Sequence, residues 1–396
     1  MFRLYEVDPD ADTLIIIPTP SKAFAPWEET PPPSDASSIY AGILRGTSRP
    51  PNTYASIASA PEVRLKVSSR HLGLASKHFR NKFRYDPPVE ADGRVHVTLG
   101  GYDPKAVIVV MDALHGRGRK VPRSVDLELL AKIAVFVDAF KFHEAVEIYA
   151  ERWFEGLEGA LPTKYGRDLV LWIYASYVFR QHEVFKRASN VAILQSNGPI
   201  RSLGLQIRDG LISKGFRAHI CSSTFFSSSL TTLQGEIDSQ RQQLVRQALD
   251  VVYETVDILQ EDETPCPRGC DTFLLGALVK SLRRHKLMWP RPAKPFIGVS
   301  FVGISQSVGE AGSQLAQLVP GLSLNGGTSV KEVSRKRKTP NSEPRQTLTP
   351  DSSPELRATF DSHDCGVKGG LAEMLDELEA DVTGLELESK LGYLLY

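Results

Sequence analysis

The chain has 396 residues, 41% of them hydrophobic and 24% charged, with 47 Lys+Arg set against 47 Asp+Glu. That length exceeds one ordinary core and implies two folded units plus connecting segments. The zero formal charge excludes a global attraction to nucleic acid or to an anionic membrane.

At the N-terminus, acidic residues stand where a signal peptide needs an apolar stretch. Asp8-Pro9-Asp10-Ala11-Asp12 is turn chemistry before the apolar run Leu14–Ile17, so residues 1–17 read as a strand pair. Residues 18–61 carry Pro18, Pro20, Pro26, Pro31, Pro32, Pro33, Pro50, Pro51 and Pro61. Proline at that density blocks both helix and ladder, and the stretch reads as a disordered insertion with Phe24 and Trp27 as its large apolar anchors.

From residue 62 the pattern strengthens. Val63, Leu65 and Val67 alternate with polar residues as in a half-buried strand. His71 to Phe83 reads as one helix with Leu72, Ala75, Phe79 and Phe83 on one face. Val95, Val97 and Leu99 give another strand. Asp103-Pro104 is an N-cap followed by proline at the first helical position, and Gly116 is placed to end the helix that follows. The most apolar run of the chain, Ala106–Leu114, is interrupted by Asp112 and is far too short to span a membrane. Asp126 to Phe142 is apolar almost all round, which predicts a buried helix. The next helix carries Val146, Tyr149, Trp153 and Leu157. Further helices are expected over Asp168–Leu194, Asp238–Leu259 and Phe273–Leu287. Strands first and helices after is an α+β order. The division expected is a unit at 62–158 completed by strands from 1–17, then a helical domain at 160–303. A Gly-, Ser- and Pro-rich linker at 306–369 is expected to be disordered, and 370–396 reads as an acidic amphipathic segment.

Several clusters carry candidate chemistry. No Gly-x-Ser-x-Gly elbow, Walker loop or His-Glu-x-x-His occurs, so no catalytic site is assigned. His143-Glu144-Ala145-Val146-Glu147 places Glu147 where a zinc helix needs its second histidine. Gly116-Arg-Gly-Arg-Lys120 reads as a helix-ending turn with a basic rim rather than a phosphate loop. His219, Cys221, Cys266 and Cys270 offer the donor set of a closed structural zinc site, although the spacing matches no common finger. Reduced thiols are the simpler reading, and no cofactor is assigned. Four cysteines, with Cys365, are too few for a disulfide scaffold. No Asn-x-Ser/Thr acceptor occurs, which fits an intracellular protein. Arg335, Lys336, Arg337 and Lys338 form a nuclear-import candidate, with Thr339, Thr349 and Ser353 beside prolines as candidate phosphoacceptors. Nucleus and cytoplasm both stay open, with the basic run favouring the nucleus.

Over 62–200 the chain resembles the BTB/POZ proteins of filamentous fungi. The resemblance rests on Val67-Ser-Ser-Arg-His-Leu-Gly-Leu-Ala-Ser-Lys-His-Phe79, His115-Gly-Arg-Gly-Arg-Lys-Val-Pro-Arg123, Leu127-Glu-Leu-Leu-Ala-Lys-Ile-Ala-Val-Phe-Val-Asp138 and His143-Glu-Ala-Val-Glu147. Trp172, Val178-Phe-Arg180, Phe185-Lys186 and Ala192-Ile-Leu-Gln195 extend it. Cys270-Asp271, Leu274–Leu278, Trp289-Pro290 and Pro295-Phe296 are similar to the family's C-terminal region. Ser68 and Ser69 stand where the family pattern has a His-Lys pair. The resemblance implies a small sheet flanked by a cluster of helices, protein–protein recognition and a homo-oligomer. It also implies a possible cullin partner, for which no contact residues are assigned. A second reading is a nuclear regulator acting through DNA-bound partners, since neither direct nucleic-acid contact nor a membrane is expected.

Overall fold

A computed structural model of the chain describes residues 2–18, 23–27, 62–85, 87–205, 228–261, 270–318 and 370–387. The fold is mixed α+β: a four-stranded sheet, with two helices between its third and fourth strands in chain order and the rest after the fourth. The strands are β1 (Phe2–Glu6), β2 (Thr13–Ile17), β3 (Glu62–Val67) and β4 (Val95–Thr98). Their order across the sheet is β1-β3-β2-β4. β1 runs parallel to β3 with Phe2 opposite Glu62, and β2 runs antiparallel to β3 with Thr13 opposite Val67. β4 pairs parallel with β2. The strand pair expected within 1–17 therefore does not pair with itself. Ile15, Ile17, Leu65 and Val67 are fully buried, and seating β3 between β1 and β2 encloses its alternating face.

In the same unit, α1 (Ser69–Ala75) and α2 (Lys77–Phe83) replace the single helix expected over 71–83. Ser76 divides them. Its backbone is extended (φ −139°, ψ 122°), and its hydroxyl accepts from the Phe79 N–H and donates to the Phe140 carbonyl. Then follow α3 (Pro104–Leu114), α4 (Leu127–Phe140), α5 (His143–Gly156), α6 (Arg167–Val178) and α7 (His182–Gln195). Asp103 caps α3 as expected, and Asp126 caps α4. Lys141, at φ 59°, ends α4 in the left-handed region. The stretch expected as one helix over 168–194 is two, with Arg180 at positive φ between them. Phe79, Phe136, Phe140 and Phe142 are wholly buried, with ring centroids 5.0–6.0 Å apart where they touch. From Leu169 to Val178, α6 buries every side chain except that of Tyr177, and it packs on α4.

Within 18–61, residues 23–27 are ordered. Arg167 donates to the carbonyls of Phe24 and Ala25, and Trp27 meets Tyr165 edge-on at 5.8 Å.

The chain divides into two compact units, one of residues 1–191, 200–234 and 384–396, the other of 192–199 and 235–383. The division thus falls in α7 rather than near 160, because α6 belongs to the core built on α4. The second unit contains most of α8 (Ser228–Gln260), with α9 (Cys270–Arg284), α10 (Phe301–Leu318) and α11 (Gly370–Ala380). α10 runs well past residue 305, where order was expected to fade. Its Ile304, Val308 and Ala311 are buried, and it packs on α9 and α11. Ser307 is buried beside them and its carbonyl accepts from the Ser281 hydroxyl of α9 at 2.7 Å, so part of the serine content here is packing, not linker. Among the described residues no helix is long and apolar enough to cross a membrane.

Candidate protein-interaction face

β1 is an edge strand, and its outer side has no partner strand among the described residues. Phe2 and Leu4 lie on it more than half exposed, at 53% and 51%. An edge that shows both unpaired backbone groups and apolar side chains is a template for a further strand. The strand is held rigidly from behind. Tyr5 donates to Asp112 Oδ2 at 2.9 Å, and Arg117 Nη1 donates to the Glu6 carbonyl at 2.6 Å and sits 3.3 Å from Asp112 Oδ1. Burial, then the bond to Asp112, raises the Tyr5 pKa, so the phenol stays protonated as donor. Arg64 stacks over the Phe2 ring at 4.3 Å, and Lys66 pairs with Glu6 at 3.0 Å.

Beside β1 opens a groove of about 1040 Å³, walled by Arg3 and Leu4, by the first turns of α3 and α4, and by Val63. Ile108 and Leu129 line it with Leu4, giving it an apolar side. Its acids are engaged: Asp103 and Glu128 both hold Lys132, at 3.1 and 3.0 Å, and Asp126 caps the Leu129 N–H. The bond to Lys132, then that to Arg167, lowers the Glu128 pKa. Arg3 and Lys105, also on the groove, make no ion pair among the described residues. The groove therefore offers apolar contact beside two cations, Arg3 and Lys105, that are not held in ion pairs, while the charges of its lining balance.

Of the residues singled out from sequence, His219, Cys221 and Cys266 lie outside the described residues. Cys270 opens α9, with its side chain outside the description. Arg335, Lys336, Arg337, Lys338, Thr339, Thr349 and Ser353 also lie outside them. His143 opens α5 half-buried, with Nδ1 unbonded and Nε2 3.9 Å from Asp138, while Glu147 is exposed. Gly116 has φ +69° and ends α3, and Arg117 braces β1 rather than an anion. Sequence reasoning missed the Tyr5–Asp112–Arg117 brace, although the lone acid in the run 106–114 was its visible signal.

Comparison with known proteins finds no family model, no curated protein and no solved structure that matches the chain.

Proposed function

We propose that the chain is a non-catalytic protein-interaction module of the BTB/POZ type, which self-associates through its first unit and serves as a scaffold or adaptor. The observation that carries this is the braced edge strand β1, with exposed Phe2 and Leu4 beside an open groove. The small sheet accompanied by helices supports the family resemblance. Affinity in this mode comes from backbone hydrogen bonds to β1 and from an apolar side chain entering the groove. Specificity comes from Arg3 and Lys105, which favour an acidic residue near that anchor.

The test is light scattering coupled to size exclusion on the full chain across a concentration series. Wild type is expected to run as a dimer, and Phe2→Asp/Leu4→Asp as a monomer with an unchanged circular dichroism spectrum. Wild type that stays monomeric at its highest concentration would reject self-association. A dimer indifferent to the double substitution would move the interface away from β1.

A further inference from the structure

Three side chains from three distant segments meet at one corner of the first unit. Asp8 lies in the turn after β1, His71 in α1, and His115 caps the end of α3. One potential ligand atom of each lies within 4.8 Å of the other two. The two imidazole rings face each other, with centroids 4.7 Å apart and planes inclined at 30°.

His115 already holds the tautomer of a ligand. Its Nδ1 sits 2.8 Å from the Met111 carbonyl, which can only accept, so Nδ1 carries the proton. The lone pair is then on Nε2, where it accepts the Ser68 N–H at 3.0 Å. A ligating histidine almost always gives its other ring N–H to such a carbonyl, which fixes tautomer and ring plane. Burial holds the His115 pKa below the ordinary value, although the Met111 carbonyl and Asp8 favour the proton. His71 is exposed, and neither of its ring nitrogens makes a hydrogen bond among the described residues. Asp8 is half-buried; its Oδ1 accepts the Asp10 N–H at 3.0 Å and its Oδ2 is unbonded.

We propose that Asp8, His71 and His115 bind one divalent transition cation, with Zn²⁺ the best match to two imidazoles and a carboxylate. The ion takes His115 Nε2 in place of the Ser68 N–H, together with one His71 nitrogen and one Asp8 oxygen. Three protein ligands leave a fourth tetrahedral position, which the exposed side at His71 opens to water or to a ligand from outside. Bound there, the ion ties the end of β1 to α1 and α3.

The experiment uses the full chain, stripped with chelator and dialysed, titrated with Zn²⁺ against a chromophoric chelator and separately with Co²⁺. The expected result is one equivalent whose cobalt spectrum shows d–d bands from nitrogen and oxygen ligands. His71→Ala and Asp8→Asn, each with an unchanged circular dichroism spectrum, are expected to weaken it by more than about tenfold, the lower bound for losing even a supporting bond. His96→Ala, on a half-buried histidine elsewhere in the unit, is expected to leave it unchanged. No binding by wild type, equal binding by His71→Ala, or a spectrum of thiolate-to-cobalt charge transfer alone would each overturn the site. The last result would place the ion on cysteines.

Discussion

Arg241 shows how much one side chain can hold. Its side chain has 0% exposure, yet it carries a charge, which is tolerable only because every part of the guanidinium is bonded. Nε donates to Asp238 at 2.8 Å, Nη1 to the Phe296 and Val299 carbonyls, and Nη2 to the Pro295 carbonyl. Arg241→Ala removes one partner and leaves the others buried, so a loss of about 3–5 kcal/mol in the second unit is expected in urea unfolding. Arg241→Lys is expected to recover little, because one ammonium cannot span that fork. His143 works the other way. Burial drives its pKa down to about 4 against an ordinary 6.5, with Lys141 and Arg180 adding to the shift and Asp138 opposing it. Between those values the unfolded chain binds the extra proton. The contribution of neutral His143 is thus complete above 6.5 and is lost as pH falls through that window. Its side chain keeps 28% exposure, so solvent screening reduces the cost to roughly 2 kcal/mol. His143→Phe is expected to flatten the fall of the urea midpoint over that range; a variant that falls as steeply as wild type would assign the effect elsewhere.

At the scale of elements, joints carry the information that periodicity lacks. Ser76 is 1% exposed and serves two helices at once, capping α2 and bonding the end of α4. Ser76→Ala is expected to cost about 1–2 kcal/mol, and Ser76→Thr, which keeps the hydroxyl, distinctly less. The apolar spacing over 71–83 is continuous, so it predicts one helix; what breaks it is the contact with Phe140, which is remote in sequence. The same holds for β1 and β2. Turn residues 8–12 suggest a hairpin, but β3 supplies a better-buried partner for both strands. Where signals were local, as with the Asp103 cap and Gly116, sequence and structure agree. The candidate face was half legible. Alternation reveals the strands, but not which of them lies at the edge, since edge position depends on long-range order. Asp8, His71 and His115 share no spacing that any local pattern would connect.

At the scale of the molecule, residues 384–386 join the first unit, far in sequence from the rest of it. The Leu385 N–H donates to Ser189 Oγ at 2.8 Å, and Lys186 pairs with Glu386 at 3.0 Å. Gly384 has φ +79°, and a Cβ there would overlap the Lys186 carbonyl oxygen, so only glycine lets the chain lie so close to α7. Composition showed an acidic amphipathic segment awaiting a partner; part of that partner is this chain's own α7. The tryptophans make the consequence measurable. Trp153 and Trp172 are buried in the first unit, whereas Trp289, in the second, is 64% exposed. Fluorescence therefore reports unfolding of the first unit, and far-ultraviolet circular dichroism reports both. Gly384→Ala is expected to lower the fluorescence midpoint in urea, because a strained αL residue and a lost buried contact each cost about 1 kcal/mol or more. A chain ending at Thr383 is expected to reproduce that shift, since it lacks the same strap. If both changed proteins unfold at the wild-type midpoint, residues 384–386 lie on α7 without stabilising it.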